Sequence, residues 1–192
     1  DGGILVCRSK EDFELAKKLK WFGIDRDDAK NDKGEWKGQS WDIDIETAGY
    51  KFNMNNLSAA IGCSQIGYVE NLVKQHRKNA STYDKIFKNN DIVTPLKKYD
   101  GAISSYWVYT IITNLSVTEK LHVMKTLNDE GIAVGLVHVP NHNYTCFAEF
   151  KKDLPDVDAF NARQISLPCG WWLNKNDIKH IANRVLELCK TA

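Results

Sequence analysis

A loop that carries lysine and asparagine leads directly into a predicted helix within residues 49–66, whose sequence is GYKFNMNNLSAAIGCSQI. The first backbone N–H groups of a helix have no partner inside it, so a loop at this position can hold an anion. The helix opens with small residues, Ser58, Ala59 and Ala60, which allow a neighbouring element to approach closely. These features indicate an anion-binding loop, but they do not identify a reaction.

A second polar segment, HVPNHNYTCF at residues 138–147, follows a predicted strand and contains two histidines. His138 and His142 have the spacing that places two metal ligands on one face of a helix, but Pro140 lies between them at the end of the strand. No acidic or thiol residue has a suitable spacing for a third ligand, so we expect no metal site here. A loop at the end of a strand is a common position for substrate contacts, and the alternative is an ordinary surface loop.

The composition excludes several classes of function. The chain has 192 residues, 43% of them hydrophobic and 27% charged, which is typical of a soluble globular protein with one or two domains. A formal net charge of +1 gives no overall electrostatic field that would attract nucleic acid or an anionic membrane. No apolar run reaches the roughly 18 residues of a transmembrane helix. The five cysteines form no CxxC motif, and we interpret them as reduced thiols of a cytosolic protein. The sequence contains neither the GxGxxG nor the GxxxxGKS/T phosphate-binding motif.

The hydrophobic pattern predicts the elements that precede the first loop. Residues 4–7 are typical of a short buried strand, and Ser9 is the predicted cap of a helix that ends at Gly23. Residues 24–48 are polar and too long for an ordinary connection, so we expect a functional or partner-contacting loop. This segment contains two tryptophans, Trp36 and Trp41.

After the first loop, a long helix is followed by alternating strands and helices. The helical period continues for roughly thirty residues from Asn55 or Asn56 to Asn89. Gly62 and Gly67 weaken it and indicate a bend or a close approach. A capping box at Ser116 begins a second helix, and residues 178–189 form a last amphipathic helix. The predicted strands are residues 105–113, 132–139 and 164–168. This order predicts a small α/β layer after the long helix.

Several segments, taken in order, resemble the DegT/DnrJ/EryC1/StrS family of sugar aminotransferases, enzymes of fold type I that depend on pyridoxal 5′-phosphate (PLP). The most recognisable is GYKFNMNNLSAAIGCSQI, which is similar to the family's aromatic loop running into an A-A-x-G helix. The other matching segments are DGGILVCRS, LKWFGIDR, SSYWVYTII, GIAVGLVHVPNHNYTCF and ISLPCGWWL. The resemblance covers essentially the whole chain.

The resemblance implies an α/β fold with three parts. Residues 1–54 correspond to the end of the large PLP-binding domain, with a strand, a helix and an interface loop. Residues 55–90 correspond to a long connecting helix, and residues 91–192 to a small C-terminal α/β domain.

The resemblance also implies roles for individual residues. In the family, active sites lie at the interface of a homodimer, and the loop before the long helix reaches the partner subunit's cofactor phosphate. Lys51 and Asn53 are the matching cofactor-binding residues, and the alternative for Lys51 is a solvated surface lysine. We expect sugar contacts from the second loop and one aromatic residue, namely His138, Asn141, His142 and Trp107.

The family's cofactor-binding lysine precedes the segment that matches the start of this chain. No catalytic residue is therefore assigned within the chain, and we expect that it is inactive by itself and does not retain PLP. The implied reaction of the intact enzyme is amino transfer from glutamate to a nucleotide-linked keto-sugar, for polysaccharide or cell-surface sugar biosynthesis. The alternative is a non-catalytic sugar- or ligand-binding or regulatory module on the same scaffold. We expect a cytoplasmic protein with no nucleic-acid or membrane partner.

Overall fold

The computed structural model describes residues 2–38 and 43–192, which form a mixed α/β structure as predicted. The chain divides into two compact units, Asp1–Gly67 and Tyr68–Ala192. Every helix that the structure describes is too short or too polar to cross a membrane.

Two parts of the sequence interpretation remain predictions. The division into residues 1–54, 55–90 and 91–192 concerns the domains of the enzymes that the chain resembles. Trp41, in the predicted partner-contacting loop, lies outside the described residues.

The first unit contains helix α1, Lys10–Leu19, and a loop that pairs with its C-terminal end. Ser9 caps α1 because its Oγ accepts a 3.0 Å hydrogen bond from the N–H of Asp12, which confirms the predicted start. Three backbone hydrogen bonds of 2.7, 2.8 and 2.9 Å join residues 19–22 to residues 50–52. The loop before the next helix is therefore fixed to the end of α1.

The predicted buried strand at residues 4–7 is wrong. Ile4, Leu5 and Val6 are 93%, 76% and 84% exposed, and no strand pairs with them in the described part of the chain. An apolar run that is suited to burial on both faces becomes a strand only where a neighbouring strand completes its hydrogen bonds.

The predicted long helix consists of two helices. Helix α2, Asn56–Gln65, begins at Asn55, whose Oδ1 accepts a 2.8 Å hydrogen bond from the N–H of Ser58. A 3₁₀ turn at Ile66–Tyr68 contains Gly67 and ends α2. Helix α3 is Val69–Phe87. Of the two predicted caps, Asn55 is confirmed, and the interruption occurs at Gly67, one of the two glycines that weaken the helical pattern.

The second unit contains a three-stranded antiparallel sheet in the order β1, β2, β3. The strands are β1, Val93–Pro95; β2, Val108–Thr113; and β3, Gln164–Pro168. In the central pair, Val108 lies opposite Pro168 and Ile112 lies opposite Gln164. The strand predicted at 164–168 is confirmed.

Three further helices complete the second unit. They are α4, Val117–Asp129; α5, Pro155–Arg163; and α6, Lys175–Thr191. Capping boxes at Ser116 and Asn174 begin α4 and α6, so the predicted start of α4 is confirmed. One hydrophobic core joins α3, α4 and α6 to the sheet. Its largest buried side chains include Tyr83, Phe87, Ile111, Leu127, Ile165, Leu167 and Ile178.

The predicted strand at residues 132–139 is also wrong. Only Gly135 pairs with β3, through two backbone hydrogen bonds with Ser166 of 2.8 and 3.1 Å. The chain then reaches Pro140, which has no N–H to donate to a ladder, and continues into a 3₁₀ turn. Similarly, β2 is shorter than the predicted 105–113 because Tyr106 has a φ of 53°, outside the β region.

Candidate functional site

The loop at residues 49–55, here called the 49–55 loop, presents aromatic and polar side chains beside the end of α1. Tyr50 and Phe52 stack with ring centroids 4.8 Å apart and are 57% and 74% exposed. Lys51 forms an isolated antiparallel bridge with Trp21. This pairing gives a loop with no strand of its own a defined backbone position.

Lys51 lies directly against the Trp21 ring. Its Nζ is 3.2 Å from the ring centroid and 5.5 Å from that of Phe22, and the Arg26 guanidinium is 4.8 Å from the Trp21 ring. Lys51 forms no salt bridge with any carboxylate among the described residues. A cation that is held on an aromatic face and has no paired anion is oriented and can pair with an anionic ligand.

Asn53 has unused hydrogen-bonding capacity. Its Oδ1 is enclosed and has no partner among the described residues, and its Nδ2 makes only a long 3.4 Å contact with the carbonyl of Met54. A buried polar atom without a partner is costly, so a ligand or partner group that bonds this amide would be favoured. Lys51, Asn53 and the start of α2 therefore lie on one short stretch of backbone.

The second predicted loop is attached to the segment formed by α5 and β3. The carbonyl of His138 accepts a 3.3 Å hydrogen bond from Nε2 of Gln164, a residue that is only 1% exposed. The His142 side chain is 9% exposed, and its Nε2 lies 3.0 Å from Oδ1 of Asp158 on α5. Asn141 is exposed in the 3₁₀ turn. Three of the predicted sugar-contacting residues therefore share one anchored loop.

Trp107 lies at the other end of the sheet. It is 69% exposed and immediately precedes β2, so it extends beyond the end where Val108 meets Pro168. Gly135 lies opposite Ser166 in the antiparallel sense, which places His138 beyond the Gln164 end. About five residues of strand separate the two ends, or roughly 16 Å at 3.3 Å per residue. The structure thus groups the loop residues and separates Trp107 from them.

The predicted functional loop in the first unit lines a cavity of about 480 Å³. Asp25 is 8% exposed, and its carboxylate lies 3.1 Å from Lys17 Nζ and accepts a 2.9 Å bond from the N–H of Asp27. Burial pushes the pKa of Asp25 upward, but this N–H and Lys17 outweigh it and hold the pKa below its usual value. The ionised carboxylate therefore links this loop to α1.

One polar cluster was not found from the sequence. Tyr109 Oη donates a 2.6 Å hydrogen bond to Asp84, and Lys98 Nζ lies 3.4 Å from the same carboxylate. Burial and Asp84 raise the pKa of Tyr109. No sequence motif links residues 84, 98 and 109, because they come together only where α3, β2 and the chain after β1 pack against one another. Across residues 2–38 and 43–192, no group of three His, Cys, Asp or Glu side chains could hold a metal ion.

Comparison with known proteins gives consistent matches along the chain. Residues 1–186 match the model of the DegT/DnrJ/EryC1/StrS aminotransferase family. The UDP-4-amino-4,6-dideoxy-N-acetyl-beta-L-altrosamine transaminase of Helicobacter pylori is 28% identical over 190 residues, which cover 97% of this chain and 48% of that protein. The structure of Helicobacter pylori PseC, an aminotransferase involved in the biosynthesis of pseudoaminic acid, aligns with a TM-score of 0.79 at 26% identity, over 96% of this chain and 47% of that one. The sugar aminotransferase CalS13 from Micromonospora echinospora aligns with a TM-score of 0.79 at 28% identity, over 93% and 45%.

These matches confirm the family that the motifs indicated. The chain spans about half the length of the curated relatives it matches. The family model covers both units, including the 49–55 loop and the loop at residues 138–147. The chain belongs to the DegT/DnrJ/EryC1/StrS aminotransferase family.

Proposed function

We propose that this chain is part of a cytoplasmic, PLP-dependent enzyme that transfers an amino group from glutamate to a keto group of a nucleotide-linked sugar. The observation that carries this proposal is the family match over residues 1–186. The names of the relatives support the substrate class, since the Helicobacter pylori protein is named as a transaminase of a UDP-linked amino sugar. The product would serve polysaccharide or cell-surface sugar biosynthesis.

The residues of the 49–55 loop fit the phosphate of PLP. Lys51 provides a positive charge that Trp21 orients, and Nδ2 of Asn53 is a donor without a strong partner. Both precede the N-terminus of α2, where the helix dipole favours an anion. When bound, PLP supplies the electron sink for the chemistry at the amino-bearing carbon. The part of Lys51 and Asn53 is to bind and orient its phosphate.

We further propose that this contact crosses a homodimer with shared active sites. The exposure of Tyr50 and Phe52 on the same loop supports this, because exposed aromatic residues are enriched at interfaces. Helix α2 directly after the loop has no buried residue in this chain, which leaves its surface free to pack against a second subunit.

In this proposal, the anchored loop binds the sugar. His138, Asn141 and His142 offer imidazole and amide groups that can bond hydroxyl or keto oxygens. Trp107 is at the other end of the sheet, so in the proposal it contacts a different part of the nucleotide-sugar or the partner subunit.

The experiment uses the full-length protein encoded by the gene. It is incubated with PLP, glutamate and a panel of UDP- and dTDP-linked keto-sugars, and the products are identified by mass spectrometry. We expect 2-oxoglutarate and an amino sugar in equal amounts. Binding of a nucleotide-sugar without glutamate-dependent amino transfer would instead support the non-catalytic alternative.

A further inference from the structure

Phe22 and Gly23 form a left-handed turn after α1, here called the α1 turn. Phe22 has a φ of 56° and Gly23 a φ of 84°. A left-handed glycine commonly follows a helix, whereas a left-handed phenylalanine is strained and persists only where its surroundings hold it. The N–H of Phe22 donates a 2.8 Å hydrogen bond to the carbonyl of Tyr50. Contact with the 49–55 loop therefore helps to hold the strained turn.

The α1 turn leaves no room for side chains where it meets residues 47–49. A Cβ atom added to Gly49 would clash with the backbone nitrogen of Gly23 and would lie 2.7 Å from the carbonyl carbon of Phe22. A Cβ atom added to Gly23 would clash with the carbonyl oxygen of Thr47. All of these are backbone atoms, which cannot rotate away as the end of a side chain can. The two glycines thus allow the two stretches of backbone to pack directly against each other.

This close packing lies next to the contact that holds Lys51. The N–H of Phe52 donates a 2.9 Å hydrogen bond to the carbonyl of Lys20, and Lys51 forms its isolated bridge with Trp21. The ammonium of Lys51 lies 3.2 Å from the centroid of the Trp21 ring. Because only two residues separate Gly49 from Lys51, a loop that moves away from the α1 turn also carries the ammonium away from the ring.

We propose that Gly49 is a positioning residue for the ammonium of Lys51, because its lack of a side chain lets the loop reach the α1 turn. This inference rests on the proposed function, in which Lys51 binds the phosphate of PLP. An ammonium group bonds a phosphate oxygen only within about 3 Å, so a displacement of roughly 1 Å weakens the contact. Gly49 acts through Lys51 and does not itself touch the cofactor.

Gly49→Ala in the full-length protein tests the effect on phosphate binding. The added methyl group pushes the loop away from the α1 turn, so the preference for PLP over pyridoxal should fall about three- to tenfold. In the Lys51→Ala protein the same substitution should change this preference by less than about twofold, because the ammonium is already absent. The matched control is Ala48→Ser, which adds one atom at the exposed neighbouring position and should leave the preference unchanged.

An NMR measurement without PLP separates this inference from the proposed function. The ring current of Trp21 should move the ε-CH₂ signal of Lys51 upfield of the signals of lysines that have no aromatic neighbour. In protein labelled with ¹³C-lysine, Lys51→Arg identifies this signal. Gly49→Ala should return the signal toward the other lysines, and Ala48→Ser should not. If Lys51→Ala keeps the full preference for PLP, the phosphate contact of the proposed function is wrong, and the NMR signal still decides whether Gly49 positions Lys51.

Trp21→Leu is a second variant, because it removes the ring and leaves the contact between Gly49 and the α1 turn in place. It should also lower the preference for PLP, and Trp21→Phe should recover part of the loss because an aromatic face remains. If Gly49→Ala does not fold, an unchanged preference in Trp21→Leu overturns the proposal. If Gly49→Ala folds, the proposal is overturned when the Lys51 signal does not move, or when the substitution lowers the preference equally with and without Lys51.

Discussion

Lys51 and Lys120 show how the surroundings of an ammonium group decide its role. Lys51 is exposed and its ammonium lies on the face of the Trp21 ring, where a ligand can reach it. Lys120 is 2% exposed, and its Nζ donates a 2.7 Å hydrogen bond to the carbonyl of Asn161. The first geometry suits ligand binding, whereas the second joins α4 to α5.

The buried position of Lys120 predicts a pH-dependent stability. Burial lowers the pKa of Lys120 below its ordinary value of 10.5. Between the lowered pKa and 10.5 the unfolded chain binds more protons at Lys120 than the folded chain does, so the unfolding free energy rises with pH in this range. Below the lowered pKa the folded protein bears the full cost of burying the charge, and above 10.5 this cost has disappeared. We expect the unfolding free energy of Lys120→Met, relative to the parent, to fall as the pH rises from neutral toward 10.5.

Urea unfolding of the parent and of Lys120→Met at several pH values measures the difference between their unfolding free energies. Other groups titrate in the same way in both proteins, so their contribution cancels in this difference. Lys125→Met is the control, because Lys125 lies on the same helix with a side chain that is 72% exposed. A relative stability of Lys120→Met that does not change with pH would contradict the prediction.

Asp158 is expected to orient His142 for the sugar. The aspartate is 54% exposed, so its 3.0 Å bond to the imidazole is partly screened by solvent and contributes modestly. In the full-length enzyme, Asp158→Ala should raise KM for the nucleotide-sugar about three- to tenfold, corresponding to roughly 0.6–1.4 kcal/mol, with PLP affinity unchanged. Asp158→Asn keeps an acceptor oxygen and should restore part of the loss.

Steady-state kinetics of these variants are compared with Asp156→Ala, which removes a carboxylate from the same first turn of α5. If Asp156→Ala and Asp158→Ala change KM equally, the effect comes from the helix terminus and not from His142.

At the scale of elements, Asn79 connects α3 to the turn after β3. It is 1% exposed, and its Nδ2 donates to the carbonyls of Gly170 at 2.9 Å and Leu173 at 3.2 Å. Asn79→Ala leaves both carbonyls without this donor and should lower the unfolding free energy by roughly 1–3 kcal/mol. Asn79→Asp should cost more, because a buried carboxylate would face two carbonyl oxygens.

Chemical denaturation decides this prediction, with Lys78→Ala on an exposed position of the same helix as the control. Equal stabilities for the parent and Asn79→Ala would show that the turn does not depend on this side chain.

The elements that could be predicted from the sequence are those with local causes. The caps at Ser9, Asn55 and Ser116 depend on residues within three positions, and all three are present. Strands at 4–7 and 132–139 could not be predicted reliably, because a strand requires a partner that is distant in sequence. The same limit applies to the sites, since the loop residues were found by motif, whereas Asp158 meets His142 only through tertiary packing.

At the scale of the whole molecule, the exposed apolar residues of the first unit predict self-association. On α2, Leu57 and Ile61 are one turn apart and are 73% and 52% exposed. At about 25 cal/mol per Å², burying a few hundred Å² of such surface provides several kcal/mol. Sedimentation velocity should therefore show an average mass that rises with concentration. Leu57→Lys should reduce this rise, and Leu121→Lys, at a 52% exposed position on α4, should not.

The central claim is that the 49–55 loop holds the phosphate of PLP. Comparing PLP with pyridoxal, which lacks the phosphate, isolates this contact from every other interaction of the cofactor. In the full-length enzyme, Lys51→Ala should weaken PLP binding by about one to two orders of magnitude, from roughly 1.5–3 kcal/mol for a charge-assisted contact, and leave pyridoxal binding unchanged. Asn53→Ala should act in the same direction, and Lys51→Arg should recover part of the loss because the charge remains.

The measurement is therefore the ratio of the PLP and pyridoxal dissociation constants, determined by equilibrium dialysis for the parent and the Lys51→Ala/Asn53→Ala double variant. The account predicts that the preference for PLP over pyridoxal falls at least tenfold in the double variant while the dimer remains intact. An unchanged preference would contradict it, and Lys51 would then be a surface lysine that packs on Trp21.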